Sequence, residues 1–320
     1  MTDILRAFLR PAALAFFTAV AIAAFIAPSA AVERQQAPKV PLLAGPPGEL
    51  TFIQPAPATV PQPEAATFVV TYTGFSPAAR AAFQRAVNIW AGRLTSPVPI
   101  TISAQFQPLG ANVLGQAGPN FFWRNFPGAP VAGTWYVDAL ANKRHGTQLD
   151  PSPDIVAQFN SSFPNWHFGA GPAPAGKYDF TSVVLHEIGH GLGFLGLGNV
   201  SAGRGSVRAL GAPSIYDRFT ENASGKKMLS FAGNSVALAT ALQGGHFYFD
   251  SAAVRAANGN VRARLYAPNP FQPGSSYSHF SEASYPRGNA NSLMTPVLGQ
   301  AETIRSPGPL AMAVFTTLGW

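Results

Sequence analysis

The sequence predicts an α+β fold: a twisted, mostly parallel sheet with two helices, followed by a more irregular C-terminal half. Three observations predict it. Apolar residues alternate over Phe68–Thr73 and over Val98–Phe106, with a helical pattern between them. A second apolar helix leads into Gly191 and Gly193, which make its continuation unfavourable. The chain also holds 30 prolines and 31 glycines in 320 residues, so much of it must be loop and turn.

Taken in order, the first strand places Phe68, Val70 and Tyr72 on one face. Ser76-Pro77 starts a helix, the hydroxyl accepting from free N–H groups and the proline fitting the first turn. Phe83, Val87, Trp90 and Leu94 give that helix one apolar face, and Pro97 ends it. In the second strand Ile100, Ile102, Ala104 and Phe106 alternate with Thr101, Ser103 and Gln105. Strand, helix, strand in this order is a crossover unit with the helix packed on a sheet. Residues 107–180 read as loop-rich, with short strands at Thr134–Val137 and Ile155–Phe159. The second long helix starts near Asp179 or Thr181. Further helical patterns occupy Ser235–Leu242, Ser251–Ala257 and Leu310–Leu318. No repeat is present.

The chain divides into four expected regions. Residues 1–31 read as a signal peptide: Arg6 and Arg10, an uncharged apolar run from Pro11 to Ile26, then small residues at Ser29-Ala30-Ala31. That implies secretion, extracellular or periplasmic, with no stable membrane insertion once the signal is removed. Residues 32–67, rich in Pro and Ala, read as an extended linker without a core. Residues 68–195 form an N-terminal subdomain ending in the second helix, and residues 196–320 a C-terminal one. Without cysteine there is neither a disulfide framework nor a thiol nucleophile. The formal charge of +7 is scattered, with Lys143-Arg144 and Lys226-Lys227 the only adjacent basic pairs, so no nucleic-acid surface is expected.

The chemistry concentrates in His186-Glu187-Ile188-Gly189-His190. On a helix, residues four apart share a face, so His186 and His190 can present ring nitrogens to one metal ion. Neutral imidazole suits zinc, and two ligands on one rigid helix lose little entropy on binding. Glu187 stands about 100 degrees round the helix from His186, placed to reach a water at the ion without ligating it. Val183, Val184, Leu185 and Ile188 supply the apolar backing of a buried helix.

The run Leu185–Phe194 resembles the active-site helix of the metzincin clan of metallopeptidases, with Gly193 at the glycine that turns the chain towards a third ligand. Gly196 stands where that clan usually places the ligand. The leishmanolysin-like branch carries a long insertion before its third histidine, and this chain resembles that branch. Ser278-His279-Phe280 looks like the third-ligand segment, and Ser292-Leu293-Met294-Thr295-Pro296 like the methionine turn. The resemblance implies Zn2+ held by His186, His190 and His279, Met294 as an apolar floor, and Glu187 as general base. The activity it implies is secreted endopeptidase cleavage of protein or peptide substrates. It implies neither a cysteine switch nor, with Pro296 in place, a tyrosine switch. Ile155–Phe159 would be the sheet-edge strand that receives an extended substrate, and Leu310–Trp320 the terminal helix. Residues 197–277 carry no motif that can be named.

Other third ligands stay open on the residues alone: His145, His167 and His246, or, in a thermolysin-like arrangement, Glu221 or Glu282. So do other functions. A secreted binding protein could keep a purely structural zinc site, and a zinc hydrolase could act on amides other than peptides.

Overall fold

The computed structural model describes residues 31–58 and 65–320. The expected signal peptide, 1–31, lies outside the described residues except for Ala31. A six-stranded sheet forms the centre. Its spatial order is Val297–Leu298, Val40–Ala44, Val113–Pro119, Ile155–Asn160, Ile100–Gln107 and Phe68–Thr73. Val113–Pro119 runs antiparallel to both neighbours, and the other adjacent pairs are parallel. The fold is therefore α+β around a mixed sheet.

Six helices accompany it among the described residues: α1 Pro77–Ala91, α2 Asp138–His145, α3 Phe180–Gly191, α4 Val236–Gln243, α5 Ala252–Ala257 and α6 Gly308–Leu318. The Ser76 hydroxyl accepts from the Ala79 amide at the start of α1, as the Ser-Pro pair predicts. Helices α1 and α3 pack together, and α3 lies against the sheet. Phe83, Phe159 and Phe180 meet edge to face or tilted at 5.2–5.7 Å between centroids. The Trp90 indole donates to the Leu185 carbonyl at 2.9 Å, fixing α1 against α3 while its ring is fully buried. Truncating a core aromatic of this kind costs about 3–5 kcal/mol.

Two expectations are corrected. Of the expected linker 32–67, the described residues 32–58 are not a free linker: they supply strands at Glu33–Gln36, Val40–Ala44 and Thr51–Ile53, the middle one inside the central sheet. Val40 and Leu42 are buried, so this Pro-rich stretch does carry a short period-two apolar pattern. Pro41 is accommodated because Val297–Leu298 pairs only with Leu43 and Ala44, leaving one side of Pro41 outside any ladder. The second correction concerns Ile155–Phe159. That strand is interior, hydrogen-bonded to Ile100–Gln107 on one side and Val113–Pro119 on the other, so it offers no free edge.

Beyond α3 the chain is more irregular. A hairpin, Asn199–Ser201 with Arg204–Ser206, packs against α4. Thr220–Asn222, Phe247–Phe249 and Ala263–Arg264 make a small antiparallel sheet. Ala31–Trp320 together form one compact unit. Among the described residues no helix is long and apolar enough to cross a membrane.

Candidate metal centre

The start of α3 is anchored before any ligand appears. Asp179 caps it, accepting from the Ser182 amide at 2.7 Å, and the Arg305 guanidinium clasps both carboxylate oxygens of Asp179 at 2.5 and 2.8 Å. Both partners of this pair are buried, so the helix is pinned to the segment that leads into α6. One turn before its C-terminus, α3 presents His186, Glu187 and His190, all buried.

Helix α3 ends as the glycines predict. Gly193 has φ +114, a conformation side chains rarely adopt, and the turn returns the Phe194 amide to the Gly189 carbonyl at 3.0 Å. The same turn aims the Phe194 carbonyl at His190 Nδ1, 2.7 Å away. The chain then wanders through α4 and α5 and comes back at Ser278-His279. Here the Gly196 amide donates to the Ser278 hydroxyl at 3.3 Å, tying the two ends of the excursion together. Asp217 fixes the outgoing end of the excursion by accepting from the amides of Leu197 and Ser214 at 2.9 and 2.7 Å. Nothing in the sequence singled out Asp217.

The three imidazoles converge. Nε2 of His190 lies 2.9 Å from Nε2 of His186 and 3.2 Å from that of His279, and the third separation is 3.3 Å. Each Nδ1 faces a backbone carbonyl: Leu293 for His186 at 2.6 Å, Phe194 for His190 at 2.7 Å, Ser275 for His279 at 2.7 Å. A carbonyl only accepts, so each Nδ1 carries the proton and each Nε2 turns a bare lone pair to the other two. Three lone pairs this close, with no proton between them, repel unless a cation sits among them. Tetrahedral ligands at about 2.0–2.1 Å from an ion stand roughly 3.3 Å apart, close to the observed triangle. These buried residues can hold a metal ion.

Electrostatics favour ligation. Burial, and then the other rings of the group, push the pKa values of His186 and His190 well below the ordinary histidine range. Burial takes His279 down to about 4. All three rings are therefore neutral at pH 7, the form that coordinates metal. Burial drives Glu187 in the opposite direction, well above the usual carboxylate range. The amides of Leu42 and Ala117 face its carboxylate and oppose that rise, yet neither carboxylate oxygen makes a hydrogen bond of normal geometry. A fully buried carboxylate so poorly satisfied is costly, which marks Glu187 as a group with another use.

Met294 packs against α3 beside Gly189. It is fully buried, and a side chain at Gly189, between the two helix ligands, would come within 2.9 Å of its sulfur. The adjacent Leu293 carbonyl is the one that orients His186. The rival ligands stand elsewhere. His145 Nδ1 bonds the Pro127 carbonyl, His167 Nε2 the Gly171 carbonyl, and His246 is exposed. Glu221 is held by Arg262 and Lys227. Glu282 is not a member of the cluster, and burial raises it to about 7.

No protein-family model, curated protein or solved structure matches this chain.

Proposed function

We propose that this chain is a secreted, zinc-dependent endopeptidase with a metzincin-like site of the leishmanolysin type. The observation that carries the reading is the convergence of three deprotonated Nε2 atoms beside a buried carboxylate that lacks a hydrogen bond of normal geometry. The donor set, three neutral imidazoles, is one that zinc prefers, and three protein ligands leave a fourth position open. Zinc bound there would supply Lewis acidity, polarising the scissile carbonyl and letting water lose a proton near pH 7.

The chain's own groups do the rest. The three backbone carbonyls hold the rings in the ligating tautomer. Glu187 takes the proton from the attacking water as its oxygen adds to the carbonyl carbon. The C–N bond then breaks, and Glu187 returns the proton to the departing amine. A purely structural site has no use for that carboxylate, and such sites tend to have four protein ligands, whereas the group found among the described residues has three.

Casein hydrolysis by the purified chain tests the reading. It should stop with phenanthroline and return when zinc is restored. Hydrolysis that continues in phenanthroline, in protein shown to have lost its metal, would remove the proposal.

A further inference from the structure

The third ligand follows the second by 89 residues, and beside it stands an aromatic residue in an unfavourable backbone conformation. Tyr277 has φ +78 and is the only aromatic among the described residues with a positive φ. A bulky side chain rarely adopts that backbone, which persists only where the surroundings over-determine it. Here they do. Tyr277 is buried; its amide donates to the Tyr266 carbonyl at 2.9 Å, and its carbonyl accepts from the Tyr216 hydroxyl at 3.3 Å. The Tyr277 hydroxyl lies 2.9 Å from Thr220 Oγ1 and faces the Asp217 carboxylate. Thr220 Oγ1 directs its own proton to the Asp217 carbonyl at 2.9 Å, so the tyrosine is the donor in their contact.

The ring lies against the backbone of Gly196 and Gly198. A Cβ at Gly196 would overlap ring atom Cε1, and one at Gly198 would stand 2.5 Å from Cγ and Cδ2, so the approach requires glycine at both positions. Phe247 stacks on the ring at 4.7 Å between centroids. These contacts come from both flanks of the excursion. Gly196 and Gly198 follow the α3 turn, Asp217, Thr220 and Phe247 belong to the excursion itself, and Tyr277 ends it two residues before His279. The reversal at Tyr277 brings the Ser275 carbonyl to His279 Nδ1, 2.7 Å away, while the His279 carbonyl accepts from the Tyr266 amide at 2.9 Å. Tyr277 thus stands between the ligand and the acceptor that fixes its tautomer. Moving its ring would move both.

We propose that Tyr277 is a positioning residue for the third ligand. Its ring, seated on Gly196 and Gly198 and tied by its hydroxyl to Asp217 and Thr220, holds the Ser275–His279 turn in the shape that aims Nε2 of His279 at the other two rings. The inference rests on the zinc reading above for the role of His279, but the orientation of that ring can be observed without metal.

Two measurements test it. Zinc affinity is read by competition with a chelating dye. The His279 Nδ1–H signal is read by NMR of metal-free protein carrying isotope-labelled histidine, and is assigned through its loss in His279→Ala. Tyr277→Phe keeps the ring and loses the hydroxyl; zinc binding should weaken roughly 10-fold, the lower end of what losing a group that orients a ligand costs. Gly196→Ala displaces the ring and should weaken binding roughly 100-fold, the upper end, and the His279 signal should move in both variants. Tyr277→Ala should lose as much, and adding Gly196→Ala to it should cost nothing further, because the ring that the new methyl would strike is gone. Val254→Ala, a core truncation on α5, which packs on α6, controls for general loss of stability and should bind zinc as the parent does. If Tyr277→Phe and Gly196→Ala leave zinc affinity and the signal unchanged, or if Val254→Ala weakens binding as much as they do, Tyr277 only fills space and the proposal is overturned. If the parent binds no zinc, yet the signal moves in the Tyr277 and Gly196 variants and not in Val254→Ala, the positioning role stands and the zinc reading fails.

Discussion

Glu187→Gln should lower peptide hydrolysis by about 10²–10⁴-fold, the usual contribution of a positioned general base, while leaving the metal bound. The separation of the two effects is the point. Glutamine keeps the size of the side chain and cannot accept the proton, and the three rings are oriented by the carbonyls of Leu293, Phe194 and Ser275, none of which involves residue 187. Metal content should therefore match the parent. The variant has a second signature in metal-free protein. Burial raises the Glu187 pKa well above its unfolded value. Such a group contributes stability that is complete below the unfolded pKa of about 4.5 and is lost as pH rises towards the folded value. Metal-free parent should thus lose stability relative to Glu187→Gln as pH climbs above 4.5, measured by denaturant unfolding at each pH. Equal activity of variant and parent would remove Glu187 from the reaction.

His279→Ala should have the other large effect, this time on the metal itself. Two ligands on α3 remain, but a zinc site with two protein ligands is weak, and binding energy of about 10–16 kcal/mol in complete structural sites shows how much each ligand carries. Loss of one of three should weaken zinc binding by on the order of 10³-fold or more, read by competition with a chelating dye. His246→Ala, at an exposed ring outside the cluster, should bind zinc as the parent does. Comparable losses in the two variants would mean that His279 is not a ligand.

What the sequence made legible follows from how local each signal is. Helix α3 and its histidine pair stand in one contiguous run, and α1 shows its apolar face and its Ser-Pro start in fifteen residues. The position of His279, 89 residues beyond His190, is not a local property at all. Only the resemblance of Ser278–Phe280 and Ser292–Pro296 to a family pattern points to it, and the structure places its ring against the other two. The antiparallel strand Val113–Pro119 escaped because Gly115, Ala117 and Gly118 give no apolar alternation. They are small where the strand faces Glu187 and the N-terminal segment. Missing that strand made Ile155–Asn160 look like an edge. The N-terminal strands escaped because proline content argues against pairing, an argument that fails where a proline's nitrogen faces no partner. The carbonyls that set the ring tautomers belong to backbone, and no side-chain pattern announces them.

X-ray absorption and anomalous diffraction at the zinc edge, on the purified chain, test the central claim most directly. The account predicts one ion bound by Nε2 of His186, His190 and His279, each at about 2.0–2.1 Å. An ion bound elsewhere, or one held by the α3 pair while the ring of His279 stands apart, would contradict it.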